Sequence, residues 1–444
     1  MNQEHFGIME PKKLFAKLAV PSLISMLFSS IYMMADGIFV GKAIGSKALA
    51  AINLVFPIIM IVFAFGDMIA SGAAVKIGIK LGEKKEEEAS EIFSVAILFI
   101  FILNIVFAAL SLIFARDIIF ILIKDKQLAE HAYKFAYVFI WFLPIIAPFF
   151  AIDNYLRICG KANMSMWINI SVSVLNIILD AIFIGYLKLG IEYAALASSL
   201  SMSIGTVILI YPFIMKKVVL KFTKPKIKIK EILGIIYNGS SEFFSNISGS
   251  VMAIIMNIFL LHFGGAVGVA AYSIVMYIES LIVPMLFGMI DSVQPVISYN
   301  YGAKNNKRIM TFFKITCTVA LTISILTMII IFVFPNFLVR LFSSKSDIAV
   351  INMAKKALLL YAPSYLFTWF IMTVSGFLTG LEKATSSIVL MLAESVVLPL
   401  FMTLVLTKFI GVYGIFVTPT ISGAISVVVA LILWRKCIKN EMNL

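Results

Sequence analysis

The two halves of this chain repeat one pattern of residues at an offset of about 220 positions. Matched pairs run along most of each half: Gly45 with Gly265, Ala51 with Ala271, Gly82 with Gly302, and Gly160 with Gly380. A single offset that holds over so long a stretch is difficult to obtain by chance. The chain is therefore expected to fold as two copies of one unit.

Long uncharged segments fill both copies, in a chain that is 61% hydrophobic and 13% charged. Runs such as 92–115 and 315–339 are long enough to cross about 30 Å of hydrocarbon as helices. Because only helices or closed barrels satisfy their backbone in lipid, these runs predict an all-α polytopic membrane protein. The twelve predicted spans are 14–40, 48–75, 92–115, 132–157, 164–187, 192–214, 236–261, 268–298, 311–338, 357–380, 384–407 and 412–434.

Six spans fall in each copy, which predicts two pseudo-symmetric six-helix bundles. We expect an N-lobe at 1–214, a basic cytoplasmic linker at 215–235 and a C-lobe at 236–444. Since six is even, both copies enter the membrane in the same direction, so a pseudo-two-fold axis along the membrane normal should relate them. Two lobes that rock about a site between them are a transporter arrangement.

The basic residues predict which side of the membrane holds the termini. With both termini inside, the tails, inner loops and inner helix ends hold about two thirds of the 36 Lys and Arg residues, with the richest stretch at 216–230. This asymmetry favours cytoplasmic termini in the cell membrane. It also accounts for the net charge of +13 without a nucleic-acid partner.

No enzyme or metal centre is expected. The three cysteines and three histidines match no ligand spacing. No HExxH, GxSxG or P-loop sequence is present either. We therefore expect neither a cofactor nor a structural metal.

Carboxylates inside the spans are the strongest functional signal, because facing lipid would cost each of them several kcal/mol. There are eight: Asp36, Asp67, Asp153, Asp180, Glu242, Glu279, Asp291 and Glu394. Few basic residues share their depth, so the interior is acidic and suits protons or cations as cargo. Asp153 and Glu242 lie near the inner surface, and we interpret them as residues at the level of the lipid headgroups.

Four polar residues of the N-lobe are predicted to converge at one depth. Asp36 and Asp180 lie in the outer thirds of spans 1 and 5, Asn176 is one turn from Asp180, and Ser198 enters from span 6. Oxygen donors of this kind suit a proton or a small hard cation. The alternative is that these groups only join neighbouring helices by hydrogen bonds.

The C-lobe carries different acids. Positions 256 and 400, which correspond to Asp36 and Asp180, hold Met and Leu. Glu279 and Glu394 instead lie in mid-span, where they are candidate contacts for a cationic substrate in a cavity between the lobes. Asp67 and Asp291 lie near inner ends and are expected to line its cytoplasmic entrance. Protonated glutamic acids hydrogen-bonded between helices are the alternative.

Several motifs resemble one transporter family. They are Ala19-Val-Pro21, Asp36-Gly-Ile-Phe39-Val-Gly41 with Ala48-Leu-Ala-Ala51, and Gln294-Pro295-Val-Ile-Ser-Tyr-Asn300-Tyr-Gly302-Ala303. Together they are similar to the multidrug and toxic compound extrusion (MATE) family over nearly the whole chain. In its archaeal-like and DinF-like members, the resemblance assigns the first-lobe cation site to the positions of Asp36, Asn176, Asp180 and Ser198, with serine replacing the usual threonine. Span 10 has no carboxylate for a NorM-type second-lobe site.

The resemblance implies a monomeric efflux antiporter in the lipid bilayer that exports cationic amphipathic drugs or dyes in exchange for protons or sodium. Protons are favoured, although Asn176 and Ser198 also suit sodium. The alternative within transport is a lipid-linked oligosaccharide flippase. That function would require a basic cavity for a diphosphate, whereas this interior is acidic.

Topology can be tested by labelling single cysteines in a cysteine-free background. Lys224→Cys should react with an impermeant maleimide only from the cytoplasmic side, because the linker lies there. Lys188→Cys, in the loop between spans 5 and 6, is the matched control and should react only from outside. Reaction of residue 224 from outside alone would reject the orientation.

Overall fold

The structure is a computed structural model that describes residues 5–225, 228–342 and 348–442. Over these ranges the regular structure is helical, without strands, as the sequence predicts. Twelve long helices follow one another: α1 Pro11–Ala43, α2 Lys47–Gly82, α3 Glu86–Leu122, α4 Lys126–Ile158, α5 Ala162–Tyr186, α6 Ile191–Ile214, α7 229–264, α8 266–302, α9 Asn306–Val333, α10 Ile348–Gly380, α11 Ala384–Ile410 and α12 Val412–Asn440.

The breaks within and between these helices have local causes. Helices α7 and α8 follow each other directly and are separated by a kink at Gly265, whose φ of 58° and ψ of −159° form a combination that glycine adopts most readily. Pro148 restarts α4, and a tight turn at Ala362–Ser364 interrupts α10. Helix α9 ends before Pro335, and the short helix Pro335–Phe342 follows it. The observed helices extend past the predicted spans, by nine residues at the start of α10 and by seven at the ends of α2 and α3 and at the start of α7, whereas α9 ends five residues earlier than predicted.

The backbone repeats at the offset seen in the sequence. Gly45 and Gly265 both have positive φ, at 121° and 58°. Lys84 and Lys304, which end the corresponding helices α2 and α8, adopt φ of 61° and 57°. A left-handed residue is a common way to end a helix, and its recurrence at matched positions shows that both copies turn in the same way.

The contacts divide the chain into two units. The first comprises the residues up to Phe243 together with Ser298–Ala303, and the second comprises Phe244–Ile297 and the residues from Lys304 onward. Helix α7 begins at Ile229, inside the predicted linker, of which residues 226 and 227 lie outside the described part. The domain boundaries proposed from the sequence remain a prediction.

The core of each unit is apolar and rich in aromatic rings. In the first unit Phe93 of α3 stacks on Phe213 of α6, with ring centroids 4.8 Å apart, and meets Tyr155 of α4 edge-on at 5.6 Å. In the second, Phe313 of α9 stacks on Trp434 of α12 at 4.2 Å. Such pairs stabilise the fold by about 0.5–1.5 kcal/mol beyond the contribution of the area they bury. They fix the helices that carry the polar residues discussed below.

Two glycines at equivalent repeat positions allow α2 and α8 to touch through their backbones. A methyl group on Gly82 would lie 2.0 Å from the carbonyl oxygen of Tyr299, and one on Gly302 would lie 2.1 Å from that of Ile79. The short segment His5–Ile8 covers this crossing, because the side-chain nitrogen of Asn300 donates to the carbonyl of Phe6 at 3.1 Å. The Asn-Tyr-Gly sequence at 300–302 therefore has a packing role.

Alanine at this crossing should destabilise the fold. Gly82→Ala and Gly302→Ala should each lower the free energy of unfolding by about 1–3 kcal/mol, because the added methyl forces two backbones apart. Gly249→Ala is the matched control, since a methyl there meets nothing within 4 Å. Thermal unfolding in detergent measures all three. Equal melting temperatures for Gly82→Ala and Gly249→Ala would contradict the close contact.

Candidate functional site

The first unit brings together the four polar residues predicted from sequence. Helix α1, which carries Asp36, packs along α5, which carries Asn176 and Asp180, and α6 packs beside α5 with Ser198. Asp180 and Asn176 are almost fully buried, at 0% and 1% exposed, whereas Asp36 and Ser198 are partly accessible. A wide π-type turn, Ala181–Tyr186, begins directly after Asp180. Such turns recur at functional sites in membrane and soluble helices.

The amide of Asn176 links Ser198 to Asp180. With its oxygen turned toward α6, the amide accepts from Ser198 Oγ at 2.9 Å and from the Ser198 backbone nitrogen at 3.1 Å, and its nitrogen donates to Asp180 Oδ2 at 3.2 Å. This orientation was assigned from the hydrogen-bond network, because the reverse one points donor at donor and acceptor at acceptor. Asn176 thus holds one oxygen of Asp180 in place.

One oxygen of each aspartate has no hydrogen-bond partner within the described part of the chain. Asp36 Oδ1 and Asp180 Oδ1 are buried without a hydrogen bond to any residue that the structure describes. The two side chains lie within electrostatic range of each other. Two negative charges here would be costly, because water is excluded and the charges repel. A proton or a small cation bound between them would relieve both costs.

Tyr32 is a member of this cluster that the sequence analysis missed. Its phenol lies within electrostatic range of both Asp36 and Asp180. The signal was available, because Tyr32 precedes Asp36 by four residues and so shares its helix face.

In the second unit, Glu279 and Glu394 belong to one cluster with three tyrosines that the sequence analysis also missed. The hydroxyl of Tyr361 on α10 lies close to the carboxylate of Glu279 on α8. Glu394 lies within electrostatic range of Glu279, on a second wide π-type turn, Ala393–Val397. Tyr272 and Tyr365 also lie within electrostatic range of Glu279. The rings of Tyr361 and Tyr365 meet edge-on across the turn in α10, with centroids 6.0 Å apart.

The other in-span acids lie apart from these two clusters. Asp67 is half-buried on α2 in the first unit, and Asp291 is half-buried on α8 in the second. Each of them interacts with other groups of the protein. The structure leaves their predicted role at a cytoplasmic entrance as a prediction.

Asp153 differs from Asp36 and Asp180 because its charge has several partners. It is only 8% exposed, and its carboxylate lies 3.2 Å from the guanidinium of Arg157, which is 9% exposed. Ser165 Oγ donates to it at 2.6 Å and Asn169 Nδ2 at 2.9 Å. The four-residue spacing on α4 places the ion pair on one face, and α5 covers it. Asp153 is therefore a satisfied structural acid, unlike Asp36 and Asp180.

Comparisons with known proteins place the chain among transporters. A sequence profile of the MatE family matches residues 21–182 and 243–405, one match in each repeat. Multidrug export protein MepA of Staphylococcus haemolyticus is 26% identical over 429 residues, covering 94% of this chain and 92% of that protein. The MepA of Staphylococcus saprophyticus is 27% identical over 446 residues, covering 98% and 96%.

Solved structures share the same fold. A MATE protein crystallised in complex with MaL6 superposes with a TM-score of 0.95 at 24% identity, over all of both chains. The outward-facing conformation of a multidrug resistance MATE family transporter of the MOP superfamily gives a TM-score of 0.93 at 24% identity, over 99% of this chain and 98% of that one. At this identity the likeness shows the fold alone.

Removing the partner of a satisfied acid should lower stability, whereas neutralising an unsatisfied acid should not. Arg157→Leu should destabilise the protein by about 3–5 kcal/mol, because it leaves the buried Asp153 charge without its partner. Asp36→Asn should leave the melting temperature unchanged or raise it, since it removes a repelling charge whose Oδ1 has no partner among the described residues. Thermal unfolding in detergent compares them. A loss of stability in Asp36→Asn as large as that in Arg157→Leu would assign Asp36 a structural role.

Proposed function

Because this chain belongs to the MATE family of membrane transporters, we propose that it exports cationic amphipathic drugs or dyes from the cell in exchange for protons or sodium. It is a multi-pass membrane transporter and not an enzyme. The relatives named as multidrug export proteins support this cargo. The observation that carries the coupling mechanism is the pair of neighbouring aspartates, Asp36 and Asp180, each with one buried oxygen that has no hydrogen-bond partner among the described residues.

The first-unit cluster is the proposed site of the coupling ion. A carboxylate pair shielded from water binds a proton strongly when both charges would otherwise be present, and releases it when the site opens to water. Asn176 and Ser198 orient Asp180, and their oxygens would also serve sodium. We favour the proton, because two carboxylates share the site.

Binding of the coupling ion at Asp36 is expected to change the conformation of α1. Asp36 lies on α1, whose inner half contains Pro21 within the helix. Proline removes one backbone hydrogen bond and weakens the helix locally. Neutralising Asp36 removes its repulsion with Asp180 and changes the packing of α1 on α5. We propose that α1 bends or reseats about Pro21 in response.

The second-unit acids are the proposed contacts for the drug. Glu279 and Glu394 are partly accessible, and each lies mid-helix with mainly apolar neighbours in sequence. Asp67 and Asp291 add negative charge to the inner portion of their helices. This charge favours a cationic cargo over the diphosphate of a lipid-linked oligosaccharide, so a flippase is the less favoured function.

The subtype and orientation follow the same reasoning. The set Asp36, Asn176, Asp180 and Ser198 favours a DinF-like or archaeal-like first-lobe site, and residues 357–380 offer no acid for a NorM-type one. The distribution of Lys and Arg favours cytoplasmic termini in the plasma membrane. We propose that a single chain is the functional unit.

Coupling is tested by Asp36→Asn and Asp180→Asn, assayed separately in proteoliposomes. With an imposed pH gradient, each variant should export ethidium at least about tenfold more slowly than wild type, because the site no longer cycles a proton. Asp117→Asn, at an exposed aspartate of α3, is the matched control and should transport normally.

The same vesicles distinguish the coupling ion. A sodium gradient at equal pH should drive the wild type much less than the pH gradient does. Full gradient-driven transport in both aspartate variants would move the coupling site elsewhere, with Glu279 and Glu394 as the next candidates. Absence of any ethidium export by the wild type would overturn the function itself.

A further inference from the structure

The tyrosine–glutamate cluster of the second unit contains a buried tyrosine hydroxyl whose hydrogen-bonding capacity is unused within the described residues. The side chain of Tyr365 is 1% exposed, yet its hydroxyl has no hydrogen-bond partner among the residues that the structure describes. It lies within electrostatic range of the Glu279 carboxylate, and its ring meets that of Tyr361 edge-on, with centroids 6.0 Å apart. A buried hydroxyl without a partner costs about 1–3 kcal/mol. A ligand that hydrogen-bonds to this hydroxyl would offset that cost.

Tyr361 gives Glu279 a defined position. Its hydroxyl lies close to that carboxylate, and the residue is only 7% exposed, so packing fixes its ring. Glu279 itself is partly accessible, as are Glu394 and Tyr272. The carboxylate is therefore oriented from one side by Tyr361 and open to a ligand on another.

The composition of this cluster defines the ligand it would accept. Two neighbouring carboxylates attract a cation, and the partly accessible ring of Tyr272 offers a π-face to a flat, positively charged one. The free hydroxyl of Tyr365 adds a hydrogen-bond acceptor for an N–H group of that ligand. A site with a buried polar group discriminates strongly against an analogue that cannot satisfy it.

We propose that Glu279, Tyr361, Tyr365, Tyr272 and Glu394 form a recognition site that prefers flat organic cations bearing N–H groups over cations of similar shape that lack them. In this site Glu279 binds the charge, Tyr361 is its positioning residue, and Tyr365 receives the N–H hydrogen bond. The proposal rests on the export function above and adds the chemical class of the preferred cargo.

Tyr365→Phe is the decisive variant, because it deletes only the unpartnered oxygen. The protein should fold at least as stably as wild type, since no existing hydrogen bond is lost. Two fluorescent monocations serve as probes: proflavine, which has amino groups, and 10-methylacridinium, which has none. Binding to the full-length protein in lipid nanodiscs is measured by fluorescence titration.

Wild type should bind proflavine more tightly than 10-methylacridinium. Tyr365→Phe should weaken proflavine binding about three- to tenfold and change 10-methylacridinium binding less than about twofold. Tyr361→Phe should weaken both probes, because it releases the Glu279 carboxylate, and Glu279→Gln should weaken both about tenfold or more. Tyr277→Phe is the matched control on α8, where the ring is 44% exposed and stacks on Phe342, and it should change neither.

Three outcomes would overturn the proposal while leaving export intact: equal effects of Tyr365→Phe on both probes, no effect on either, or no effect of Glu279→Gln. The first means that Tyr365 acts through packing, and the second that its hydroxyl makes no contact with the ligand. Ethidium export by the wild type in proteoliposomes is measured in parallel. Loss of that export, with no probe bound, would instead reject the proposed function.

Discussion

Exclusion of water from the membrane interior is the constraint on which the rest of this structure depends. In hydrocarbon, backbone groups must be paired within the chain, so the described chain is built from long helices. The same exclusion makes each buried carboxylate costly unless it has a partner. The placement of every in-span acid is therefore informative, and the structure separates acids that are satisfied from acids that are not.

Asp153 and Asp180 show this separation within one unit. Both are buried, and each is reached by an asparagine from a neighbouring turn or helix. Asp153 also has Arg157 and Ser165, which satisfy its charge. Within the described residues, Asp180 has the Asn176 amide on one oxygen, no hydrogen-bond partner on the other, and a second carboxylate, Asp36, nearby. An arrangement that repels itself when empty is suited to bind and release a positive ion.

The two units share one helical scaffold but carry different polar residues. Equivalent positions carry the backbone turns, including Lys84 with Lys304 and Gly45 with Gly265. The acids do not follow the repeat, because Met256 and Leu400 occupy the positions that match Asp36 and Asp180. Architecture has been retained in both copies while the polar residues have diverged. That divergence is expected if one unit binds the coupling ion and the other contacts the cargo.

The sequence by itself determined the helical class, the number of spans and the repeat, because hydrophobic length and a constant offset are properties of the chain. It also selected Asp36, Asn176, Asp180 and Ser198, since helix direction and spacing fix depth and face. It did not reveal Tyr361 or Tyr365, because tyrosines are common in membrane helices and only neighbours from other helices distinguish these. Nor did it show that the charge of Asp153 is satisfied by neighbouring side chains. That distinction requires knowing which side chains of α4 and α5 meet, and tertiary packing alone decides this.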